Sequence, residues 1–599
     1  MKKIIVVLFC SLLVVSCGKK TPRKQPPVST DYTLAQLDSI GKAYTPEIGT
    51  YGGTVWIPLG ADPDGFCPAT STSAYSNSVM GYIFEGLVEL DIATLTFTPR
   101  IAEKWDVSDD GLQWTFHLRN DVFFSDGVKL SAYDVAFTFN DVIYNKKIRS
   151  GLADNFKIKG KKITVTAVDS FTVTFTLPYP FAPFLTVAGM DIMPKHVYAK
   201  YAKDGTLESF LSSGTDPKNV IGSGPFILDK VELGQRVVMK RNPNYWKKDA
   251  KGNRLPYIDR LIMLIIKEPN VAMLKFKNGE IDQLSVQGEH YPILKPLEKE
   301  KGFTLYKVGP RWYDSFFTFN QNNQKNPKTG KFYLEEKKQK WFRNKYFRKA
   351  CAHAINYQAM IEIIYNGLAT PPDGVWGKHK GFFHNPNAPT YDYDVDKAKK
   401  LLAEQGFKDR DGDGFLEDSD GNLVEFTLIT SAGVKIIQKM FEMVRKDLEK
   451  IGMKVHLNFV EFNNLIDKTN NTYDWDAVAY ALGGIIDPHF GKSTEIYSSY
   501  RYIYNPKQKK PSYPWEARVA EIFEEAASEM DPEKRKKLYW EWQEIVMDQC
   551  LKVYMPLREV VLGVKNHFGN IHLTRYLGLE GAILHNMEEI YIKEPGAQE

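Results

Sequence analysis

Apolar and polar side chains alternate strictly in two short stretches of the chain. Trp114, Phe116 and Leu118 alternate with Thr115, His117 and Arg119. Phe171, Val173, Phe175 and Leu177 alternate with three threonines in the same way. A period of two predicts strands with one buried face. Elsewhere the period is helical: Val135, Phe139 and Val142 follow Ser131, which predicts a helix beginning there with Ser131 as its N-cap. A short helix is expected from Asp396 to Gln405, stopped by Gly406. Asp531-Pro532-Glu533 predicts another helix start, with an Asp cap and Pro at the first position. Leu538, Trp542, Ile545 and Val546 would form its buried face. Strands and helices alternate irregularly, which is the pattern of an α/β protein. No repeat of solenoid period occurs.

The N-terminus has a different pattern. Lys2 and Lys3 precede a largely apolar run from Ile4 to Val15, long enough for a secretory signal and too short to span a bilayer. Val14-Val15-Ser16-Cys17-Gly18 follows and resembles a lipobox, which implies a signal peptide over residues 1–16 and acylation of Cys17. Residues 17–50 then form an anchor and linker, with Lys, Pro and Ser concentrated between Lys19 and Thr30. Acyl chains hold a protein on a membrane by burying hydrocarbon. The expected location is extracytoplasmic, lipid-anchored to a bacterial membrane.

The chain has 599 residues, too many for one hydrophobic core, so at least two domains are expected. A formal charge of +5 on this length gives no basic stripe for nucleic acid, and none is expected as a partner. Beyond the N-terminus only Cys67, Cys351 and Cys550 remain, an odd number without metal-like spacing. At most one pair could form, and buried free thiols are expected.

Several motifs occur in a fixed order. Ile83-Phe84-Glu85-Gly86-Leu87-Val88 leads to Ala102-Glu103-Lys104-Trp105. The stretch from Trp114 to Phe139 contains Phe124-Ser125-Asp126-Gly127, Leu130-Ser131-Ala132 and Asp134-Val135. Met193-Pro194-Lys195-His196, Gly222-Ser223-Gly224-Pro225-Phe226 and Arg241-Asn242-Pro243-Asn244-Tyr245-Trp246 follow, then Asn278-Gly279-Glu280-Ile281-Asp282 and Arg348-Lys349-Ala350. From about Tyr51 onward the chain resembles the extracellular solute-binding protein family 5, the oligopeptide-, dipeptide- and nickel-binding lipoproteins of ABC transporters. The resemblance implies a two-lobed fold of the type II periplasmic-binding-protein kind, with a hinge and an extra subdomain in lobe I. Lobe I would be 51–308, lobe II 309–555, and 556–599 a return to lobe I. Most of the motifs have structural roles in this reading. Gly127, Gly222 and Gly224 would relieve backbone strain in turns, and Arg241 and Asp282 would stabilise lobe packing.

The family's peptide binders fix the ligand amine with an Asp four residues before an acidic-Pro pair. The corresponding segment here is Ala481-Leu482-Gly483-Gly484-Ile485-Ile486-Asp487-Pro488. Aligned on the Pro, Gly484 stands at the amine-binding position. Asp487 could substitute for the missing carboxylate or could cap a turn. Trp475 and Tyr480 could line the cleft or pack in the core. The ligand is therefore expected to be peptide-like, with an oligosaccharide or a metal chelate as alternatives.

Asp409, Asp411, Asp413, Gly414, Phe415, Glu417 and Asp420 have the spacing of a calcium loop, with Phe415 offering its carbonyl and Asp in place of Glu at the twelfth position. A hydrated acidic hairpin fits the same residues, so structural calcium is an expectation and no cofactor is required. His379 and His384 lie in an aromatic loop with no metal-like spacing. Phosphate-loop, zinc-protease and nucleophile-elbow motifs are missing from the sequence, and no catalytic residue is assigned. The expected partners are the transmembrane subunits of an ABC permease and a captured solute, with the protein itself a monomer. An enzyme, such as a surface hydrolase, and a surface adhesion or signalling lipoprotein are the competing readings.

Overall fold

The computed structural model describes residues 32–593, apart from 72, 149, 151–155, 484, 500, 507 and 581. Four larger sheets organise them. In the first, Thr54–Leu59 runs parallel to Arg260–Ile265, and Arg236–Arg241 and Phe226–Glu232 continue the sheet antiparallel. A second, wholly antiparallel sheet has the order Ala102–Val107, Gln113–Leu118, Thr172–Thr176, Thr164–Ala167. Its two central strands are the alternating segments of the sequence. Trp114, Phe116, Val173 and Phe175 lie buried on one face, because successive side chains of a strand point to opposite sides.

The third sheet pairs Leu557–Lys565 with both Gln283–Val286 and Phe303–Pro310. The fourth has five strands, in the order Lys454–Val460, Glu425–Ser431, Ala477–Leu482, Asp314–Phe319, Val553–Tyr554. The chain thus leaves the third sheet at Pro310 and enters the fourth at Asp314, then leaves the fourth at Tyr554 and re-enters the third at Leu557. The outgoing and returning strands are partners on both sides: Pro310 faces Glu559, and Phe316 faces Tyr554. The hydrophobic cores separate along the same line. One draws mainly on Leu37 to Val308 and Val560 to Ile592, and two others on Phe316 to Met555. The result is a two-lobed α/β fold whose lobes are joined by two crossing strands.

Helix ends follow local chemistry. Asp531 accepts from the backbone N–H groups of Glu533 and Lys534 and caps Pro532–Gln549. Such a cap contributes about 1 kcal/mol. The buried face of this helix is Arg535, Tyr539, Trp542, Gln543, Val546 and Met547, while Leu538 and Ile545 are only partly buried. The expected face is therefore rotated, because Arg535 and Gln543 are drawn inward by hydrogen-bond partners that the apolar pattern does not register. Asp394 caps Val395–Glu404, and Gly406 follows with φ +87°. Ser131 is the N-cap of Ala132–Phe137, as expected, and its backbone N–H and hydroxyl both donate to Asp134, three residues on, in a capping box.

The glycines of the Gly222-Ser223-Gly224 motif correct a second expectation. Neither has positive φ. A Cβ on Gly222 would lie 2.0 Å from the Ile83 carbonyl oxygen, and one on Gly224 2.6 Å from that of Tyr82. They allow two backbone segments to touch and do not relieve a strained turn. Gly127, at φ +87°, does sit in the left-handed region. Arg241 holds Asp259 and the Tyr257 carbonyl and stacks on Tyr51, and Asp282 accepts from the Trp56 N–H, so both serve lobe packing. Cys67, Cys351 and Cys550 are buried free thiols. Among the described residues no helix is long and apolar enough to cross a membrane.

Candidate functional site

The lobes also touch at a second place, outside the crossing strands. The Ala182 N–H donates to the Ala527 carbonyl at 2.8 Å. The Phe181 ring meets His489 edge-on, with centroids 5.0 Å apart. Ala182 follows the second sheet in sequence, and Ala527 belongs to the helix Pro514–Ser528. The lobes are thus held together at the crossing strands and at this second contact.

Two cavities adjoin the crossing segment. The second-lobe cavity has a volume of about 180 Å³. Phe316, Trp376, Trp542 and Tyr554 line it, and Gly483, Ile485 and Phe490 form a loop along one wall. Two buried ion pairs stand in it. Lys380 lies 2.5 Å from Asp314, and Lys552 lies 2.7 Å from Glu495. Burial raises the Asp314 pKa, and the neighbouring Lys380 charge only partly offsets this. Burial works to lower the Lys552 pKa, but Glu495 together with Tyr504 and Tyr554 raises it well above the ordinary lysine value. Aromatic walls with two fixed charge pairs suit a ligand that has both apolar and polar parts.

The hinge cavity, about 420 Å³, lies on the first-lobe side of the same segment. Arg311, Arg558, Lys267, Ser285, Gln287 and Tyr75 contribute its polar groups. Arg311 stacks on Tyr313, and Gly483 lies beside the phenol end of that ring. Arg311 and Asp314 sit at opposite ends of one short crossing segment, so the two cavities are close neighbours.

The residues singled out by sequence are distributed unevenly. Asp487 stands in the cavity-wall loop, but its carboxylate is engaged: Arg535 donates to both oxygens, at 2.6 and 2.7 Å, and the His489 N–H donates at 2.9 Å. It caps the turn beginning at Pro488, the blander of its two expected roles. Gly484 and Cys17 lie outside the described residues. Tyr480 is half-buried against Phe316. Trp475 is buried with Ile429, Leu465 and Val478, just before the strand Ala477–Leu482, whose other end, Leu482, pairs with Asp314. His379 packs on Trp312 at the hinge, its pKa driven well down by burial, and His384 bonds the Trp376 carbonyl. They form no metal pair. Sequence reasoning did not find Asp314, Lys380, Glu495, Lys552, Arg311 or Arg558. They come from four separated stretches, at 311–314, 380, 495 and 552–558, so no local pattern groups them.

Asp409, Asp411 and Asp413 bring one carboxylate oxygen each within 4.8 Å of one another. Their other bonds are to backbone N–H groups of the same loop, including Gly412 and Gly414 to Asp409. These three fit a hard divalent cation. Glu417 instead accepts from the Arg410 N–H, and Asp420 pairs with Lys340 at 2.9 Å, so the ninth and twelfth positions do not converge on the three.

Comparison with known proteins gives a consistent result. Residues 96–503 match the family model described as bacterial extracellular solute-binding proteins, family 5, middle segment. A probable ABC transporter-binding protein of Deinococcus radiodurans is 29% identical over 473 residues, covering 74% of this chain and 77% of that protein. The oligopeptide-binding protein AppA of Bacillus subtilis is 25% identical over 551 residues, 90% of each chain. Its structure with a nonapeptide superposes with TM-score 0.69, at 22% identity, over 91% of this chain and all of that one. NikA of Brucella suis, solved with Fe(III)-EDTA, gives TM-score 0.72 at 20% identity over 90% of this chain and 100% of that one.

Proposed function

Because the chain belongs to the bacterial extracellular solute-binding proteins, family 5, we propose that it is the solute-capturing subunit of an ABC importer and takes an oligopeptide-like solute between its two lobes. The observation that carries this reading is a pair of crossing strands joining two lobes that also meet at Ala182 and Ala527. The relative AppA, an oligopeptide-binding protein, supports the peptide class. So does the mixed lining of the second-lobe cavity, where Asp314 and Glu495 each have one cationic partner and remain available to accept from a ligand N–H or ammonium. The proposed lobes are 51–308 and 309–555, with 556–599 returning to the first. Opening and closing occur about the crossings near Val308 and Pro556, a hinge motion of a known kind. Closure excludes water and strengthens the polar contacts inside. The solute then passes to the permease.

The N-terminal pattern supports a lipid anchor at Cys17 after removal of residues 1–16, with residues 17–50 as linker, so that a monomer is tethered at the membrane. Calorimetry with a pool of two- to nine-residue peptides, beside native mass spectrometry of protein purified without denaturation, tests the reading. Saturable binding of peptides and a retained peptide mass are expected. Saturable binding of an oligosaccharide with no response to any peptide would overturn the peptide class.

A further inference from the structure

The chain as a whole is nearly balanced, with 78 basic and 73 acidic residues, but one stretch departs from that balance. Residues 145–162 contain Lys146, Lys147, Arg149, Lys157, Lys159, Lys161 and Lys162 against a single acid, Asp154. Lys157–Ile158 pairs with Lys161–Lys162 in a hairpin that leads directly into the second sheet at Thr164–Ala167. The turn residues Lys159 and Gly160 both have positive φ, +49° and +77°, the backbone of a tight two-residue hairpin turn. A Cβ on Gly160 would meet nothing within 4 Å, so the turn projects into open space. Lys159, Lys161 and Lys162 are exposed, as are Lys146 and Lys147.

Lysines elsewhere commonly pair with carboxylates, as Lys247 does with Glu588, Lys338 with Asp476 and Lys349 with Asp548. Among the described residues, none of the five exposed lysines of this stretch has an ion pair, and the neighbouring Asp141 and Asp204 supply none. Their ammonium groups rest on aromatic rings and backbone carbonyls. Lys159 and Lys161 lie 4.8 and 5.2 Å from the centre of the Tyr179 ring. Lys162 lies over Tyr144 and donates to its carbonyl at 3.2 Å, and Lys147 donates to the Lys203 carbonyl at 2.9 Å. These contacts gather the charges on one surface and leave them without counter-charges. Like charges held close together repel one another, and an anionic surface laid against them relieves that repulsion.

We propose that the Lys157–Lys162 hairpin, with Lys146 and Lys147, is a docking surface for the anionic phospholipid headgroups of a bilayer. A membrane is the occupant because the N-terminal pattern supports an anchor at Cys17, and the fifteen residues from there to Tyr32 span at most about 50 Å. The first lobe therefore stays within reach of the bilayer, where basic residues are drawn to anionic headgroups. Tyr179 stands two residues before Phe181, which meets His489 of the second lobe, so the surface borders the second lobe contact. Docking there fixes the first lobe against the membrane and leaves the second free to move about the crossings. The surface goes beyond solute capture and does not depend on which solute is taken.

The test is co-sedimentation of the full Cys17→Ser chain, which has no thiol to acylate, with vesicles of phosphatidylcholine alone or with one third phosphatidylglycerol. Binding is expected only to the vesicles with phosphatidylglycerol, and it should weaken with added salt. Each basic residue near an anionic surface contributes about five-fold, so Lys159→Gln/Lys161→Gln/Lys162→Gln should lower partitioning by about a hundred-fold. Lys328→Gln/Lys509→Gln/Lys510→Gln removes the same charge from exposed positions of the second lobe and should bind as the parent does. An unchanged Tm in both variants reports intact folding. No difference between the two kinds of vesicle, or an equal loss in both triple variants, would overturn the surface and leave solute capture standing. Single-stranded DNA bound as tightly as the anionic vesicles, at equal phosphate concentration, would overturn the assignment to lipid.

Discussion

Replacing Asp487 by Asn separates two roles that the sequence leaves open. The carboxylate takes both terminal nitrogens of Arg535, and the side chains are only 13% and 8% exposed, respectively. Asn keeps an acceptor for the His489 N–H and loses the charge. The guanidinium would then keep the Ala526 carbonyl, the Tyr539 hydroxyl and one neutral amide oxygen in place of the carboxylate. Removing one partner of a buried pair typically costs about 3–5 kcal/mol, and the retained cap reduces this to roughly 2–4 kcal/mol. The loop carrying Gly483, Ile485 and Phe490 along the cavity wall loses its anchor. Chemical denaturation should show the loss in stability. Calorimetry should show weaker binding of free and N-acetylated peptides by the same factor. Asp487→Asn/Arg535→Met should recover most of the stability, because an apolar replacement of both partners leaves no stranded charge. The reasoning would be refuted if acetylation weakened binding to wild type many-fold and made no difference in Asp487→Asn. Asp487 would then be the amine anchor after all.

His489 gives the pH dependence. Burial, in part by Phe181 across the lobe contact, lowers its pKa to about 4. A depressed His favours the buried neutral form above about pH 6.5, and that contribution is lost as pH falls toward 4. Ligand affinity measured by calorimetry should therefore fall over this window, and His489→Phe should flatten the profile; a profile unchanged by the substitution would remove His489 as the source of the pH dependence. Calcium at Asp409, Asp411 and Asp413 should raise the Tm in proportion to occupancy, and Asp411→Ala should abolish the response to chelator. An unchanged Tm with no calcium by elemental analysis would dispose of that site. Cys17→Ser should move the protein from the membrane to the soluble fraction and remove the lipid mass; a wild type already soluble and unacylated would refute the anchor.

Local features are legible in the amino-acid pattern alone. Alternation marks the strands around Phe116 and Val173, and Asp531 marks a helix start, because both depend on neighbours a few residues away. The face of that helix is legible only in part, since Arg535 turns inward toward Asp487, a partner from another segment. Gly222 and Gly224 read as turn residues because a sequence does not display the Ile83 backbone lying against them. The binding region is hardest to read. Trp475 and Tyr480 are candidates as aromatics near a motif, yet Trp475 precedes the strand Ala477–Leu482 at the end opposite Leu482, which pairs with Asp314. Arg311 and Arg558 belong to different crossings, and only strand pairing brings them together.

The central claim is that the two lobes close on a captured solute. Small-angle scattering measures this directly, on protein stripped of solute by unfolding and refolding and then saturated with a peptide whose binding calorimetry has established. The account predicts a smaller radius of gyration with peptide than without, and no such change when Ala182→Cys/Ala527→Cys has already bridged the lobes by a disulfide. Identical scattering with and without saturating peptide in the wild type would contradict it.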